Sequence, residues 1–152
     1  MVRLGRIEEL SEISEVIMEV YHLHLRNRPD VFRVTNDPPN LEHYKELIES
    51  DSSDIFVYAY EGKIVGYTTL LVQEKDNHPL LNPYKLIVME DLAVLESYQR
   101  KGFGKSLFNR AVQYKHEKKA DWLRLSVWGF NENAKKFYQS LGMNERQRIL
   151  EL

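Results

Sequence analysis

The sequence predicts a mixed α/β domain in which helices flank a largely antiparallel sheet. Three observations support this prediction. Two helical patterns precede the main strands, a hairpin with a short turn follows them, and the rest of the chain alternates between strand and helix patterns. The strand, helix and strand between residues 88 and 127 should form a right-handed parallel crossover. With 152 residues, the chain is most simply a single domain spanning residues 1–152.

The first half of the chain carries a short strand, two helices and a hairpin. Residues 2–4 are a candidate first strand, and apolar residues at helical spacing predict helices over residues 7–26 and 41–48. The proline-containing segment 27–40 between the helices is expected to be an ordered loop. Strands are predicted over residues 55–60 and 64–72, with a tight turn between them.

The second half begins with a polar loop over residues 73–84 and an apolar run at 88–94 that suits a buried central strand. A helix extends from the following turn to about residue 119. A strand is predicted next, and after it a helix that Gly142 ends as a left-handed cap. These two elements span residues 122–127 and 131–141, and residues 146–150 are the candidate for a last strand.

Composition and charge exclude several classes of protein. Hydrophobic residues make up 43% and charged residues 29%, which is typical of a globular domain. The net charge of -2 argues against a nucleic-acid partner. The chain has no cysteine, so disulfides, zinc thiolate sites and an acyl-cysteine intermediate are excluded. Without a membrane-length apolar run or a signal-peptide pattern, we expect a cytoplasmic protein with no membrane partner.

The segment after the central strand has the composition of a phosphate-binding loop. It contains two glycines and three basic residues and leads directly into a helical pattern. At a helix N-terminus the first N–H groups lack internal partners, glycine permits close approach, and the helix dipole adds positive charge. The loop is therefore predicted to bind phosphate. Its sequence is Gln99-Arg100-Lys101-Gly102-Phe103-Gly104-Lys105-Ser106.

Spacing separates the phosphate-binding loops that share these ingredients. A Walker A loop requires glycine where this chain has Gln99, and a dinucleotide fingerprint requires glycine where it has Leu107, so both are disfavoured. The pattern that fits is Gln/Arg-x-x-Gly-x-Gly/Ala between a strand and a helix. A second pattern follows in the last predicted helix, Asn131-x-x-Ala134-x-x-Phe137-Tyr138, with Leu141-Gly142-Met143 after it.

With these two motifs in this order, the chain resembles the GNAT superfamily, the Gcn5-related N-acetyltransferases, over nearly its whole length. The resemblance implies the GNAT acyl-CoA N-acyltransferase fold, acetyl-CoA as cosubstrate, no metal, and direct acetyl transfer to a primary amine of a small molecule or protein. A non-catalytic acyl-CoA-binding module or sensor is the alternative. The cosubstrate residues that the resemblance implies are Leu92, Ala93, Val94, Gln99, Arg100, Lys101, Gly102, Phe103, Gly104, Lys105, Ser106, Asn131 and Tyr138.

Two catalytic residues follow from the same resemblance. Tyr138 matches a family tyrosine that can protonate the departing thiolate, although its residue type alone favours a ring packed in the core. Glu90, in a Glu-Asp-x-x-Val pattern similar to polyamine acetyltransferases, is the candidate base. Burial would raise its pKa, and an ion pair is its alternative role. Because adjacent strand residues face opposite sides of a sheet, Glu90 and Asp91 can both enter a cleft only at a bulge.

The acceptor site is predicted from the first helix and the loop that follows it. The family builds it from the first helix and the following loop, which here points to Tyr21, His22 and Phe32 together with Glu90; core or surface packing is the alternative. His22 and His24 lie on different faces of a helix, which disfavours a metal pair. Helical packing and a free sheet edge permit a homodimer without requiring one.

Three further predictions concern Asn131, the two tryptophans and the acidic residues. Asn131 could contact the pantetheine arm, cap the last helix, or do both. Trp122 and Trp128 are expected to be packing residues. Acidic residues slightly favour a cationic acceptor, and these are Asp30, Asp37, Glu42, Glu90 and Asp91.

Overall fold

A computed structural model describes residues 1–35 and 41–152, and these form a five-stranded sheet in chain order. All neighbouring strands are antiparallel except the last pair, which is parallel. The predicted mixed, largely antiparallel α/β fold is therefore confirmed. The strands are Val2–Leu4 (β1), Ser53–Tyr60 (β2), Lys63–Lys75 (β3), Tyr84–Val94 (β4) and Trp122–Arg124 (β5). The helices are Leu10–Asn27 (α1), Leu41–Glu49 (α2), Phe103–Glu117 (α3) and Glu132–Ser140 (α4).

The sheet separates two hydrophobic cores. On one face, α1 and α2 pack with residues such as Ile13, Leu47 and Val57. On the other, α3 and α4 pack around Phe108 and Ile87. Because side chains alternate along each strand, the same strands supply residues to both cores.

The hairpin between β2 and β3 has the predicted turn. Glu61 and Gly62 both have positive φ angles, 50° and 79°. Two consecutive left-handed residues form the turn whose twist matches antiparallel strands. The proline-containing loop before α2 is only partly described, since residues 36–40, with Asp37 and two of its prolines, lie outside the described residues.

Several predicted boundaries differ from the structure. β3 extends to Lys75 and β4 begins at Tyr84, because these two residues pair with each other across the predicted loop. β5 ends at Arg124 and not at residue 127. No described helix combines the length and the apolar composition needed to cross a membrane.

The prediction of a strand over residues 146–150 is wrong, since no strand is present there. A strand is stabilised by a partner, and the neighbouring β5 pairs over only three residues. Arg146 instead lies over the Trp122 ring at 5.5 Å, and Ile149 and Leu150 are 85% and 87% exposed. Ile149 and Leu150 are adjacent in sequence, so they do not supply the alternating apolar face of a half-buried strand.

Glu9 joins β1 to the start of α1. Glu9 is 7% exposed, and its Oε1 accepts hydrogen bonds from Arg3 Nη2 at 2.6 Å and Arg6 Nη2 at 2.8 Å. These bonds, the one from Arg3 foremost, lower the pKa of Glu9 from 4.5 to about 2. The ionised carboxylate therefore stabilises the junction of helix and sheet.

Replacing Glu9→Gln should lower the free energy of unfolding at pH 7 by about 1–3 kcal/mol, because two guanidinium groups lose their acceptor. Since the pKa is lower in the folded than in the unfolded state, this stabilisation is present above pH 4.5 and is lost toward pH 2. The difference between variant and wild type in urea unfolding should therefore shrink over that range. Exposed Glu8→Gln is the control, and equal stability of Glu9→Gln and wild type at pH 7 would contradict the prediction.

Candidate active site

A cleft opens where β4 and β5 stop pairing. Their parallel pairing ends with Val88 opposite Arg124, while β4 continues to Val94 with β3 on its other side. Along the described chain, no strand pairs with the second edge of β4 beyond Val88. The outward main-chain groups of Leu92, Ala93 and Val94 are thus left without a strand partner. The cleft has a volume of about 260 Å³ and is lined by Val88, Met89, Glu90, Arg124, Leu125 and Ser126.

A β-bulge at Glu90 interrupts the alternation of β4. Met89 pairs with Leu70 and Asp91 pairs with Thr69, so Glu90 has no partner residue on β3. Threonines support the bulge: Thr69 Oγ1 accepts from Asp91 N at 2.9 Å, and Thr68 Oγ1 donates to Asp91 O at 2.7 Å. Because the bulge interrupts the alternation of side chains, Glu90 and Asp91 can both face the cleft.

Helix α2 contacts both carboxylates through consecutive residues. His43 Nε2 lies 3.1 Å from Glu90 Oε2, and Tyr44 OH donates to Asp91 Oδ2 at 3.1 Å. The Glu90 side chain is 40% exposed and lines the cleft. Burial raises the pKa of the Asp91 carboxyl, and the hydrogen bond from Tyr44 opposes this. Asp91, which is half-buried, is therefore an acid at the bulge whose pKa is raised.

Tyr138 lies on α4, within the core on the α3 side of the sheet. Its ring packs against Phe108 and Phe137, with centroids 6.2 Å and 5.1 Å away. Its hydroxyl lies 4.0 Å from Sδ of Met89, which lines the cleft. Burial and, secondarily, the charge of Asp91 raise the pKa of Tyr138 to about 12. The ring is a packing group, and the phenol stays protonated at neutral pH.

The glycine-rich loop leaves the N-terminus of α3 accessible. Gly102 has φ 85°, and a Cβ there would have no atom within 4 Å. Ser106 N donates to Gly102 O at 3.1 Å, so the N–H groups of Phe103, Gly104 and Lys105 precede the first intrahelical bond. Three backbone donors are thus available next to the open edge of β4.

Side chains of the loop have distinct environments. Gln99 Nε2 donates to Val94 O at 2.9 Å and ties the loop to the end of β4. Phe103 is buried and stacks on Tyr58 at 4.2 Å, so it can offer a ligand only its main chain. Lys101 Nζ lies 5.2 Å from the centre of the Tyr98 ring.

The remaining loop side chains are Arg100, Lys105 and Ser106. Arg100 and Lys105 are exposed, and Arg100 adopts a positive φ of 61°. Ser106 Oγ donates to Gly102 O at 3.2 Å. Asn131, at the other motif, accepts a hydrogen bond from Ala134 N at 3.1 Å, which confirms its role as the N-cap of α4.

The predicted acceptor residues have separate surroundings. Tyr21 OH donates to Arg33 O and accepts from Thr35 N at 3.1 Å, so Tyr21 holds the loop after α1. His22 is exposed, and its ring lies 5.4 Å from that of Tyr21. The ring contacts of Phe32 are with other residues.

Phe32 instead belongs to an aromatic cluster with His24, Trp128 and Phe130. It stacks on His24 at 5.1 Å and meets Trp128 edge-on at 5.6 Å. Burial lowers the pKa of His24. Trp128 is a packing residue as expected, whereas Trp122 is 44% exposed and lies beside arginines. Within residues 1–35 and 41–152, no group of three or more His, Asp or Glu side chains could hold a metal ion.

Several residues at the cleft carry no motif that a sequence reveals. His43, Tyr44, Thr68 and Thr69 reach β4 from segments distant in the chain, so only the folded structure brings them there. The one available signal was Arg124, a charged residue within the apolar stretch of a predicted strand.

Comparison with known proteins identifies the family. Residues 17–143 match the model of the Acetyltransferase (GNAT) family. The chain belongs to this family. The protein is accordingly an acetyltransferase, and an acyl-CoA is its cosubstrate.

Relatives of this GNAT enzyme agree with the assignment. An N-acetyltransferase of Lactobacillus delbrueckii subsp. lactis, described as uncharacterized, is 31% identical over 124 residues, which cover 75% of this chain and 70% of the relative. The tetramutant of the BH1408 protein from Bacillus halodurans has a TM-score of 0.97 at 27% identity, covering 100% of this chain and 98% of the other. An aminoglycoside N-acetyltransferase in complex with CoA has a TM-score of 0.78 at 16% identity, over 100% and 92% of the chains, and shares the fold.

Proposed function

We propose that this GNAT enzyme transfers the acetyl group of acetyl-CoA directly to a primary amine in a ternary complex. The observation that carries the proposal is the open edge of β4 beside the unpaired N-terminus of α3. The open edge of β4 supplies main-chain hydrogen-bonding groups for the extended pantetheine arm of acetyl-CoA. The N-terminus of α3 supplies N–H donors for the phosphates. The acceptor is a small molecule or a protein amine.

In this proposal the loop binds the pyrophosphate of acetyl-CoA. The N–H groups of residues 103–105 donate to phosphate oxygens, and Arg100, Lys101 and Lys105 add positive charge. Gln99 and Ser106 keep the loop in shape through their bonds to the main chain.

The pantetheine arm pairs with residues 92–94 of β4, with Asn131 nearby. A main-chain N–H of this segment polarises the thioester carbonyl as an oxyanion-hole donor would. The phosphate loop and the end of β4 are joined by the Gln99 side chain, so the two parts of the cosubstrate site hold a constant relative position.

The reaction needs one proton acceptor and one proton donor. The amine nitrogen attacks the thioester carbonyl carbon, and its proton passes to Glu90 directly or through water. The C–S bond breaks, and the CoA thiolate takes the proton of the Tyr138 hydroxyl. Tyr138 regains a proton from solvent as Glu90 releases the amine proton to solvent. Glu90 lines the cleft and Tyr138 contacts the lining residue Met89, so both groups lie beside the same space.

The alternative, a non-catalytic acyl-CoA-binding module, makes a different prediction. It requires binding of acetyl-CoA without acetyl transfer to any amine of a broad panel. A protonated tyrosine and an accessible carboxylate at one cleft argue for turnover, because neither is needed for binding alone.

Calorimetric titration with acetyl-CoA tests the cosubstrate site. Wild type should bind acetyl-CoA and not ATP, and Gly102→Asp or Gly104→Asp should abolish binding, because a carboxylate there repels phosphate. A Cβ at Gly104 would also lie 3.3 Å from Phe137 Cζ. Gly62→Asp is the matched control, since Gly62 has a similar φ of 79° and open surroundings in the β2–β3 turn. Absence of acetyl-CoA binding to wild type would refute the proposal.

Tyr138→Phe tests the proton donor. Loss of the hydroxyl should lower kcat roughly 10²-fold while the KM for acetyl-CoA changes little, because the ring still packs. Release of the CoA thiol in steady-state assays gives both constants, and Tyr84→Phe, on the far part of β4, is the control. An unchanged kcat would mean that Tyr138 only packs the core.

Glu90→Gln tests the base. The variant should lose roughly 10²-fold in kcat/KM, and its pH profile should differ from that of the wild type. Asp91→Asn is compared in parallel, with Glu46→Gln on α2 as the control. If Glu90→Gln retained both rate and pH profile with a good acceptor, Glu90 would not be the base, and a loss confined to Asp91→Asn would assign that role to Asp91.

A further inference from the structure

Arg124 lines the cleft and has no acidic partner among the residues that the structure describes. Its Nη2 atom is buried and has no hydrogen-bond partner within the described part of the chain. Its guanidinium lies 5.8 Å from the Trp122 ring, on the flank of the cleft that also holds Ser126. A buried cationic donor without an acceptor is unfavourable in free energy, so an anion bound at this position would stabilise Arg124.

Other partly buried arginines of this chain pair with carboxylates. Arg3, Arg28 and Arg110 are also shielded from solvent, and each pairs with a carboxylate at 2.6 to 3.0 Å. Among the residues described, Arg124 is the shielded arginine for which no such pair exists. The arginines without carboxylate partners elsewhere are exposed to water: Arg26, Arg33, Arg100 and Arg146.

The position of Arg124 in the sheet assigns it to one face. Leu123 and Leu125, on either side, pack with the α3 and α4 core that contains Tyr138. Because neighbours in a strand alternate, Arg124 faces the opposite side, where α1 and α2 lie. The guanidinium therefore does not serve the loop that would bind the phosphates of the cosubstrate.

The same cleft carries a carboxylate and a guanidinium that do not pair with each other. Glu90 contacts His43 and is 40% exposed. Arg124 and Glu90 both line the space of about 260 Å³. That volume is below the range of about 300–1,000 Å³ for pockets that hold drug-sized ligands. A small acceptor with an ammonium and a carboxylate group matches both charges, whereas a polycation would meet the guanidinium unfavourably.

We propose, as a refinement that rests on the proposed acetyl transfer, that the acceptor is a small amino carboxylic acid whose carboxylate is bound by Arg124. Planar guanidinium binds carboxylate through two parallel hydrogen bonds and so orients it. The Ser126 hydroxyl, in the same lining, adds a donor. The amine of the bound acid then points past Glu90 toward the open end of β4, where the thioester would lie.

The test compares free amino acids with their C-terminal amides, together with a polyamine, an aminoglycoside and short peptides, using acetyl-CoA and full-length enzyme. Wild type should prefer the acid to its amide by about 10-fold or more in kcat/KM, since the amide lacks the charge. Arg124→Gln should raise the KM for the acid about 10- to 100-fold and abolish the preference for the acid over its amide. Arg124→Lys should restore only part of the preference.

Controls separate recognition from folding. Arg146→Gln, which removes the other arginine beside Trp122, should leave the preference intact. Arg124→Gln should keep or raise the Tm, whereas Arg110→Gln, which breaks a pair with Glu117, should lower it. Equal use of acid and amide by wild type, an unchanged preference in Arg124→Gln, or a preference for polyamines or peptides over every amino acid would overturn the inference.

Failure of the proposed function would look different. In that case no amine is acetylated, and calorimetry with amino acids in the presence of CoA decides the inference by itself. Binding of an acid but not of its amide, lost in Arg124→Gln, would support the carboxylate site, and no binding of either would refute it.

Discussion

The separation of β4 from β5 after the Val88 and Arg124 pair is the constraint on which the rest of the site depends. Main-chain donors and acceptors of a central strand are normally satisfied on both sides. Here the far half of β4 is held by β3 alone, and Thr68 and Thr69 strengthen that side with hydrogen bonds to Asp91. The sheet thereby keeps its order while leaving one edge available to a ligand.

The cleft joins two faces of the sheet that supply different chemistry. The α3 and α4 face contributes the unpaired N–H groups of the loop and the protonated phenol of Tyr138. The α1 and α2 face contributes His43 and Tyr44 beside two acidic residues. Asp91 links the faces electrostatically, because its charge contributes to the raised pKa of Tyr138. The two faces of the sheet therefore offer different groups to the same cleft.

Family membership accounts for the fold, whereas the choice of acceptor depends on the residues that line the cleft. Solved structures of low sequence identity share the fold over the whole chain, which shows how little of the sequence the scaffold requires. Arg124 lies outside both family motifs, yet it lines the cleft, and His43 on α2 contacts the lining residue Glu90. Such residues distinguish one acetyltransferase from another, because a fold by itself does not specify a substrate.

The sequence alone determined the features that depend on local interactions. Helical spacing placed the four helices, Gly142 marked a left-handed cap, and Asn131 marked the start of α4. These depend on backbone preference and hydrogen bonds between near neighbours. The tertiary structure decided the bulge at Glu90, the contacts from α2, the early end of β5 and the missing partner of Arg124. Each of these depends on strand register and on side chains far apart in the chain, which periodicity and spacing do not encode.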